Sequence, residues 1–596
     1  MITLGINAAV HDPSAALVVD GEVVAAVEEE RFTRVKHARR CTRASTWALP
    51  WHAMDYCLGH AGVRLADVDH VAFGFDAHAD AADELASGAP HHLHARFDGV
   101  HRDGPYRLHV VGHRLAHQAS AFLASPFDRC AVMTLDGGGR HAFTAYGAWR
   151  DGVYEAIGEC GPQHALGLLI EQATAHLGFL PASDEPKVMA LAALGQPRLR
   201  DALAAHVHLD ADGGLVLEPV DWHAFGHARA AGAELEPVHL DLAASVQAVL
   251  ESTVLEIAEW LRRATGERCL AMAGSIALNC VMNSALRDAR VFQDLWIQPA
   301  ASDAGTALGA ALFVDARERA ALPAAASRAR VGHAHAHEAP IDADPHARIC
   351  RLAPRRWRMR SAYLGPRCSD DETGAVLERA GLGSERVDDP ASAAAELLVQ
   401  GKVIGWVQGR MEFGPRALGA RSILASPLDA AMQRRINELN EPEDFGGVAP
   451  AVPREKLGEW FRPASANRGD APFMAFVYDV LARQAARIPG ACQGGGSARV
   501  QTVSRLDHPL FHRLLLLFGE RTGVPVLINA AFNLRGGPLV CTATEAIEAF
   551  FVMPLDALVI GSYVLRKPAR VPAEVAAMPA DVRRSPALAH TAVLAA

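Results

Sequence analysis

The chain has 596 residues, half of them hydrophobic, which at roughly 150 residues per domain allows about four core units or two large lobes. Lys and Arg total 58 against 68 Asp and Glu, a net charge of -10, and that balance argues against recognition through nucleic-acid phosphates. Ten cysteines without a CxxC pair exclude a disulfide scaffold and a zinc ribbon.

The opening residues show neither a basic stretch nor a long apolar run before His11 and Asp12, so no signal peptide is expected. No uncharged apolar run reaches the roughly 18 residues of a membrane span. The expectation is a soluble, cytoplasmic protein with neither a nucleic acid nor a membrane as partner.

Three strands are predicted first, Ile2 to Ile6, Ala15 to Val19 and Glu22 to Val27, the last two joined by Asp20-Gly21. That dipeptide supplies the positive φ angles of a tight hairpin. The run His109 to Val111 then leads through Gly112 into a helix, and Ala131 to Leu135 runs into Asp136-Gly137-Gly138-Gly139. A long helical pattern covers Leu242 to Ala264, and the strand Leu270 to Ala273 ends in Gly274-Ser275. Strands alternating with helices and closing in glycine turns predict an α/β fold. The Ala-, His- and Pro-rich stretch from Ala320 to Arg348 reads as a linker, its His333, His335, His337 and His346 as solvated loop residues. Beyond it, Arg355 to about Leu565 forms a second α/β unit with strands at Val403 to Val407, Met474 to Val480 and Val524 to Ile528. The domains are therefore placed at 1–345 and 346–570, with a tail at 571–596. No internal repeat is visible.

Chemistry is signalled at four places. His113 and His117, four residues apart, lie on one helical face, where two imidazoles can share a metal; ordinary helix histidines show the same spacing. Asp136 at a strand end, followed by glycines, can hold a cation while bare N–H groups approach phosphate oxygens. Asp303 precedes small residues entering a helix, and with Asp136 it would complete a set of two His and two Asp. Such nitrogen and hard oxygen donors suit iron, manganese or zinc. His11 falls in the loop after the first strand, which in an α/β sheet faces the ligand crevice, as a general base for a hydroxyl would.

In this order the motifs resemble the NodU/CmcH family of O-carbamoyltransferases. The resembling stretches include Gly5-Ile-Asn, His11-Asp12-Pro-Ser14, Glu28-Glu-Glu-Arg31 through Lys36-His37, His113 to His117, Asp136 to Gly139, Gly274 to Asn283 and Asp303 to Gly309. In the second half they include Gly409 to Ser422, Ala498 to Val503 and Asn529 to Gly536. The resemblance implies an N-terminal actin-like ATPase domain, TsaD-like, for which a strand–loop–hairpin opening is typical, and a C-terminal YrdC-like α/β domain. It implies an ATP-dependent enzyme of secondary metabolism, making antibiotics or other natural products. Carbamoyl phosphate and ATP would give carbamoyl-adenylate, and the carbamoyl group would pass to a hydroxyl of a small natural-product acceptor. By resemblance His113, His117, Asp136 and Asp303 hold a divalent metal, with iron ahead of manganese and zinc, and His11 is the catalytic base. Lys36, Gly137, Gly138, Gly274 and Asn279 would bind nucleotide; Arg416, Arg421, Arg499 and Arg535 would line the donor site. A homodimer is compatible with this reading.

The C-terminal half departs from the family pattern. Asn440, Pro442 and Gly446 stand where the family carries Lys and Arg, and Ala530-Ala531 replaces two hydroxyl residues. In the first half Ser275 replaces a glycine. Two alternatives therefore stay open: a metal-dependent transferase with another donor, and a non-catalytic binding homologue.

Overall fold

The computed structural model describes residues 1–8, 11–38, 49–74, 106–137, 143–322, 349–440, 448–462, 470–492 and 496–567. The chain separates into two compact units, Met1–Arg360 and Ser361–Ala596, and both are mixed α/β.

The first unit contains two sheets of one design. Strands β1 (Ile2–Asn7), β2 (Ser14–Val19), β3 (Glu22–Glu28), β4 (His70–Gly74) and β5 (Arg107–Val111) lie in the order β3-β2-β1-β4-β5. β1 to β3 form an antiparallel meander, while β1, β4 and β5 run parallel. The meander turns at Asp20 (φ 51°) and Gly21 (φ 86°), as their side chains predict.

The second sheet is built from β6 (Arg129–Asp136), β7 (Phe143–Arg150) and β8 (Val153–Cys160). After a small ribbon, β9 (Val207–Leu209) with β10 (Leu215–Leu217), it adds β11 (Cys269–Ala273), β12 (Asp294–Ile297) and β13 (Ile349–Arg351). Its order, β12-β11-β6-β7-β8-β13, repeats the first sheet: an antiparallel meander from β6 to β8, then parallel neighbours β11 and β12. This duplicated order is the actin-like ATPase arrangement. The absence of a visible repeat in the sequence is thus corrected by topology. Hairpin and crossover order can be duplicated with different side chains, because each sheet needs only apolar residues at its inward positions.

The boundary placed at 345 is also corrected. β13 pairs antiparallel with β8, and Leu352 N–H donates to the Gly152 carbonyl. Arg355 then donates to the carbonyls of Phe122, at 2.9 Å, and Ser125, at 2.8 Å. These bonds hold the chain to the first unit as far as Arg360; composition carries no trace of them.

Among its described residues the second unit has ten strands: β14 (Glu385–Arg386), β15 (Ile404–Val407), β16 (Arg421–Ala425), β17 (Ala449–Pro453), β18 (Val477–Asp479), β19 (Ser497–Arg499), β20 (Gln501–Val503), β21 (Leu527–Ala531), β22 (Ala557–Ile560) and β23 (Tyr563–Arg566). Eight form a mixed sheet, β14-β23-β22-β15-β16-β21-β17-β20; β18 and β19 form a ribbon. The helices Pro390–Val399 and Pro509–Thr522 bury Leu398, Phe511 and Phe518 against Trp406 and Leu424. Two predicted strands begin late. Met474 is left-handed (φ 55°), so the strand there starts at Val477; Pro525 lacks a ladder donor, and β21 starts at Leu527.

Candidate metal centre and the His11 loop

The helix His113–Phe122 starts directly after β5 and Gly112, which places His113 and His117 one turn apart at the mouth of the sheet. Their rings stand nearly perpendicular, with centroids 4.7 Å apart. Both Nε2 atoms point at one oxygen: Asp303 Oδ1 lies 3.4 Å from His113 and 3.2 Å from His117. Asp136, the last residue of β6, brings Oδ2 to 3.9 Å from His117 Nε2. All four residues are buried, and their donor atoms fall within 4.8 Å of one another.

Glycine makes this convergence possible at two places. A Cβ on Gly309 would lie 1.9 Å from the Ala116 carbonyl oxygen, so the helix Ala304–Ala321 packs backbone to backbone on the helix of the two histidines. Asp303, just ahead of that helix, is thereby delivered to both imidazoles. Gly274, at φ 91°, would carry a Cβ 2.1 Å from the Leu135 carbonyl oxygen. Its bare backbone sets Ser275 beside Asp136, where Ser275 N–H donates to Asp136 Oδ1 at 2.7 Å.

The two carboxyl groups are driven apart in acidity. For Asp303, burial pushes the carboxyl up, but the facing imidazoles of His113 and His117 override it and hold it below the ordinary range. For Asp136, burial wins; Asp303 adds to the upward push against the opposing imidazoles and the Ser275 N–H. Two buried carboxyls and two imidazoles aimed at one point fit a divalent cation. His117 Nδ1, turned away from the cluster, has no hydrogen-bond partner among the described residues.

The loop between β1 and β2 carries a second close group. His11 Nδ1 lies 3.2 Å from Asp12 Oδ2, and His37 Nδ1 lies 2.7 Å from Asp12 Oδ1. Burial pushes the Asp12 carboxyl up, yet the two imidazoles outweigh it and keep it well below the usual carboxylate range. Sequence reasoning singled out His11 but not His37, which is 25 residues from Asp12. The run of buried charges just before it, Glu28-Glu29-Glu30-Arg31, was the available signal.

Other predicted residues are placed differently. Gly137 N–H donates to Ser275 Oγ at 2.8 Å, and Gly274 N–H to the Ala301 carbonyl at 2.8 Å; these two of the expected nucleotide-binding glycines are engaged within the chain. Asn279 caps the helix Cys280–Ala289, accepting from Met282 N–H at 2.9 Å, and its Nδ2 donates to Gln247. Lys36 is exposed in the turn Lys36–Ala38. Gly138, the four linker histidines, residues 441–447 and 493–495 and the tail from 568 lie outside the described residues.

The four arginines of the second unit separate into different environments. Arg421 is fully buried, donating to the carbonyls of Ala420, at 3.0 Å, and Pro366, at 3.0 Å, and reaching Cys368 Sγ at 3.5 Å. These bonds tie the guanidinium to the interior of the unit. Arg416 is half-buried and donates to the Met474 carbonyl. Arg499 is half-buried in β19, and exposed Arg535 donates to the Glu438 carbonyl at 2.7 Å.

Family comparison agrees with both halves. A family model described as carbamoyltransferase N-terminus matches residues 2–87 and 99–312, and one described as carbamoyltransferase C-terminus matches 395–567. The chain belongs to the carbamoyltransferase family, a family of group-transfer enzymes. It is 34% identical over 590 residues to the nodulation protein NolNO of Sinorhizobium fredii, covering 94% of this chain and 80% of that protein. It is 34% identical over 472 residues to the nodulation protein NolO of Bradyrhizobium diazoefficiens, covering 77% of this chain and 79% of that one. Among solved structures, HypF of T. kodakarensis superposes with a TM-score of 0.29 at 14% identity, covering 52% of this chain and 47% of its own. So loose a superposition adds nothing to the strand order described above. No helix among the described residues is long and apolar enough to cross a membrane.

Proposed function

We propose that this protein is an ATP-dependent O-carbamoyltransferase that moves a carbamoyl group from carbamoyl phosphate, through carbamoyl-adenylate, to a hydroxyl of a small natural-product acceptor. The observation that carries the reading is the convergence of His113, His117, Asp136 and Asp303 in a chain whose two halves match carbamoyltransferases. In this proposal the second unit, read as YrdC-like, activates the carbamoyl group, since a carbamate carbon is a poor electrophile until it carries a good leaving group. The first unit then performs the transfer. His113, His117, Asp136 and Asp303 would hold a divalent metal, which when bound supplies positive charge for the adenylate phosphate. His11 takes the proton of the acceptor hydroxyl as its oxygen attacks the carbamoyl carbon, and the bond to the adenylate oxygen breaks to release AMP. Lys36, in the turn beside His37, is placed in this reading as a nucleotide contact.

A second reading has one observation in its favour. Arg421 is committed to backbone carbonyls, so the second unit brings fewer cations to an anionic donor than the family pattern implies, and the activated donor would be a different acyl-adenylate. Incubation with ATP and carbamoyl phosphate, scored for AMP and pyrophosphate, decides between the two. Release of both products dependent on carbamoyl phosphate is expected; their absence with a bound metal present favours the other donor.

A further inference from the structure

The loop that carries His11 is built more elaborately than a lone base requires. Asp12 (φ 47°) and His37 (φ 58°) both adopt the left-handed conformation that non-glycine residues avoid, so the surrounding structure must hold them there. It does so with buried polar groups. Asn7, at the end of β1, donates from Nδ2 to the His11 carbonyl at 2.8 Å and to the Asp12 carbonyl at 2.9 Å. Glu30 accepts the His37 backbone N–H at 2.6 Å and an Arg31 nitrogen at 2.7 Å. Arg31 also binds Glu28 at 2.9 Å, with both side chains buried. The Glu-Glu-Glu-Arg run thus clamps the His37 backbone and turns its ring onto Asp12.

The result is one carboxylate shared by two imidazoles. The rings of His11 and His37 are stacked, with centroids 4.5 Å apart, and each offers Nδ1 to a different oxygen of Asp12. An ionised carboxylate only accepts hydrogen bonds, so the Nδ1 facing it carries a proton, and whenever a ring is neutral its lone pair lies at Nε2.

We infer that Asp12 and His37 are positioning residues for His11: Asp12 locks it in the Nδ1–H form with Nε2 as the basic atom, and His37, drawing on the same carboxylate, limits how strongly that atom takes a proton. The inference rests on the proposed role of His11 in hydroxyl attack. There the O–H bond breaks, its proton goes to His11 Nε2, the oxygen joins the carbamoyl carbon, and AMP leaves with the electron pair of the broken bond. The charge that develops on His11 is met by Asp12 across the ring.

Nitrogen NMR of the full-length protein, labelled at histidine, tests this without an acceptor or a donor. His11→Gln and His37→Gln assign the two rings. In the wild type His11 should be the Nδ1–H tautomer. Asp12→Asn should lower the His11 titration midpoint by about one pH unit or more and admit the other tautomer. His37→Gln should move that midpoint upward, because Asp12 then serves one ring. Circular dichroism checks each fold, and the upward shift in His37→Gln tests the inference by itself if Asp12→Asn does not fold. An Nε2–H tautomer for wild-type His11, or a midpoint that no folded variant moves, overturns the inference. If the shifts are found and no carbamoyl transfer is, the proposed reaction is at fault and the placement of His11 is not.

Discussion

Asp303 Oδ1 lies 3.2 Å from His117 Nε2, although 186 residues separate them along the chain. The close packing of two helices at Gly309 brings them together, and it joins the fold to the proposed metal site.

The purified protein should carry about one divalent metal per chain. His117→Ala should lower metal affinity by more than the roughly 10- to 100-fold seen when only an outer-sphere partner is lost. Elemental analysis after gel filtration measures it, and equal content in wild type and variant would remove the metal assignment.

Gly309→Ala should loosen the same site from a distance. Its methyl carbon has no room beside the Ala116 carbonyl oxygen, so the helices must separate, at a cost of about 1–3 kcal/mol. A lower Tm together with weaker metal retention is expected. A Tm within the error of wild type would mean that the two helices can part without penalty.

His11→Ala should reduce group transfer by about 10²–10⁴-fold while ATP binding, followed by calorimetry, stays near wild type. Lost nucleotide affinity with transfer retained would move His11 from the acceptor to the donor.

Arg421 and Arg416 should separate structure from binding. Arg421→Ala leaves several buried carbonyls without a donor, and hydrogen bonds to a charged group are worth about 1.5–3 kcal/mol each, so the second unit should unfold at markedly lower denaturant. Arg416→Ala, at a half-buried position, should shift unfolding little and instead impair adenylate formation. Reversed behaviour of the two variants would reverse their assignment.

Acid should destabilise both units through buried neutral histidines. Burial, with His70 and the Arg317 and Arg107 charges, pulls His109 from 6.5 down to about 3. Burial pulls His508 from 6.5 to about 4, against the pull of the Gly419 carbonyl. Below pH 6.5 the unfolded chain takes up protons that these folded sites refuse, so their stability contribution is intact above 6.5 and falls as pH drops towards the folded values. At about 1.4 kcal/mol per pH unit, each site should cost on the order of 2 kcal/mol by pH 5. Urea unfolding at pH 7.5 and pH 5 provides the comparison. His109→Phe should flatten the dependence of the first unit, and an unchanged midpoint between the two pH values in the wild type would contradict the assignment.

Local order was legible in the amino-acid sequence because its causes are local. The Asp20-Gly21 turn, the opening meander and the helical spacing of His113 and His117 follow from residues within a few positions of one another. The family motifs likewise marked Asp136 and Asp303 at strand and helix ends. Tertiary structure decided what those motifs touch. Among the described glycines near Asp136, Gly137 donates its N–H to the Ser275 hydroxyl and Gly274 donates to the Ala301 carbonyl. Arg421, marked by its motif, is buried and donates to the Ala420 and Pro366 carbonyls, partners that its sequence neighbourhood does not reveal. His37 joined His11 only through the Glu30 clamp and the left-handed turn around it. The sheet duplication was hidden for a related reason: strand order arises from which edges pair, and many different side-chain patterns satisfy the same pairing. Sequence by itself determined the residue types and their local spacing; long-range packing determined which buried polar groups were left to do chemistry, because most donors and acceptors taken out of water are paired within the fold and only a few, such as His117 Nδ1, are not paired among the described residues.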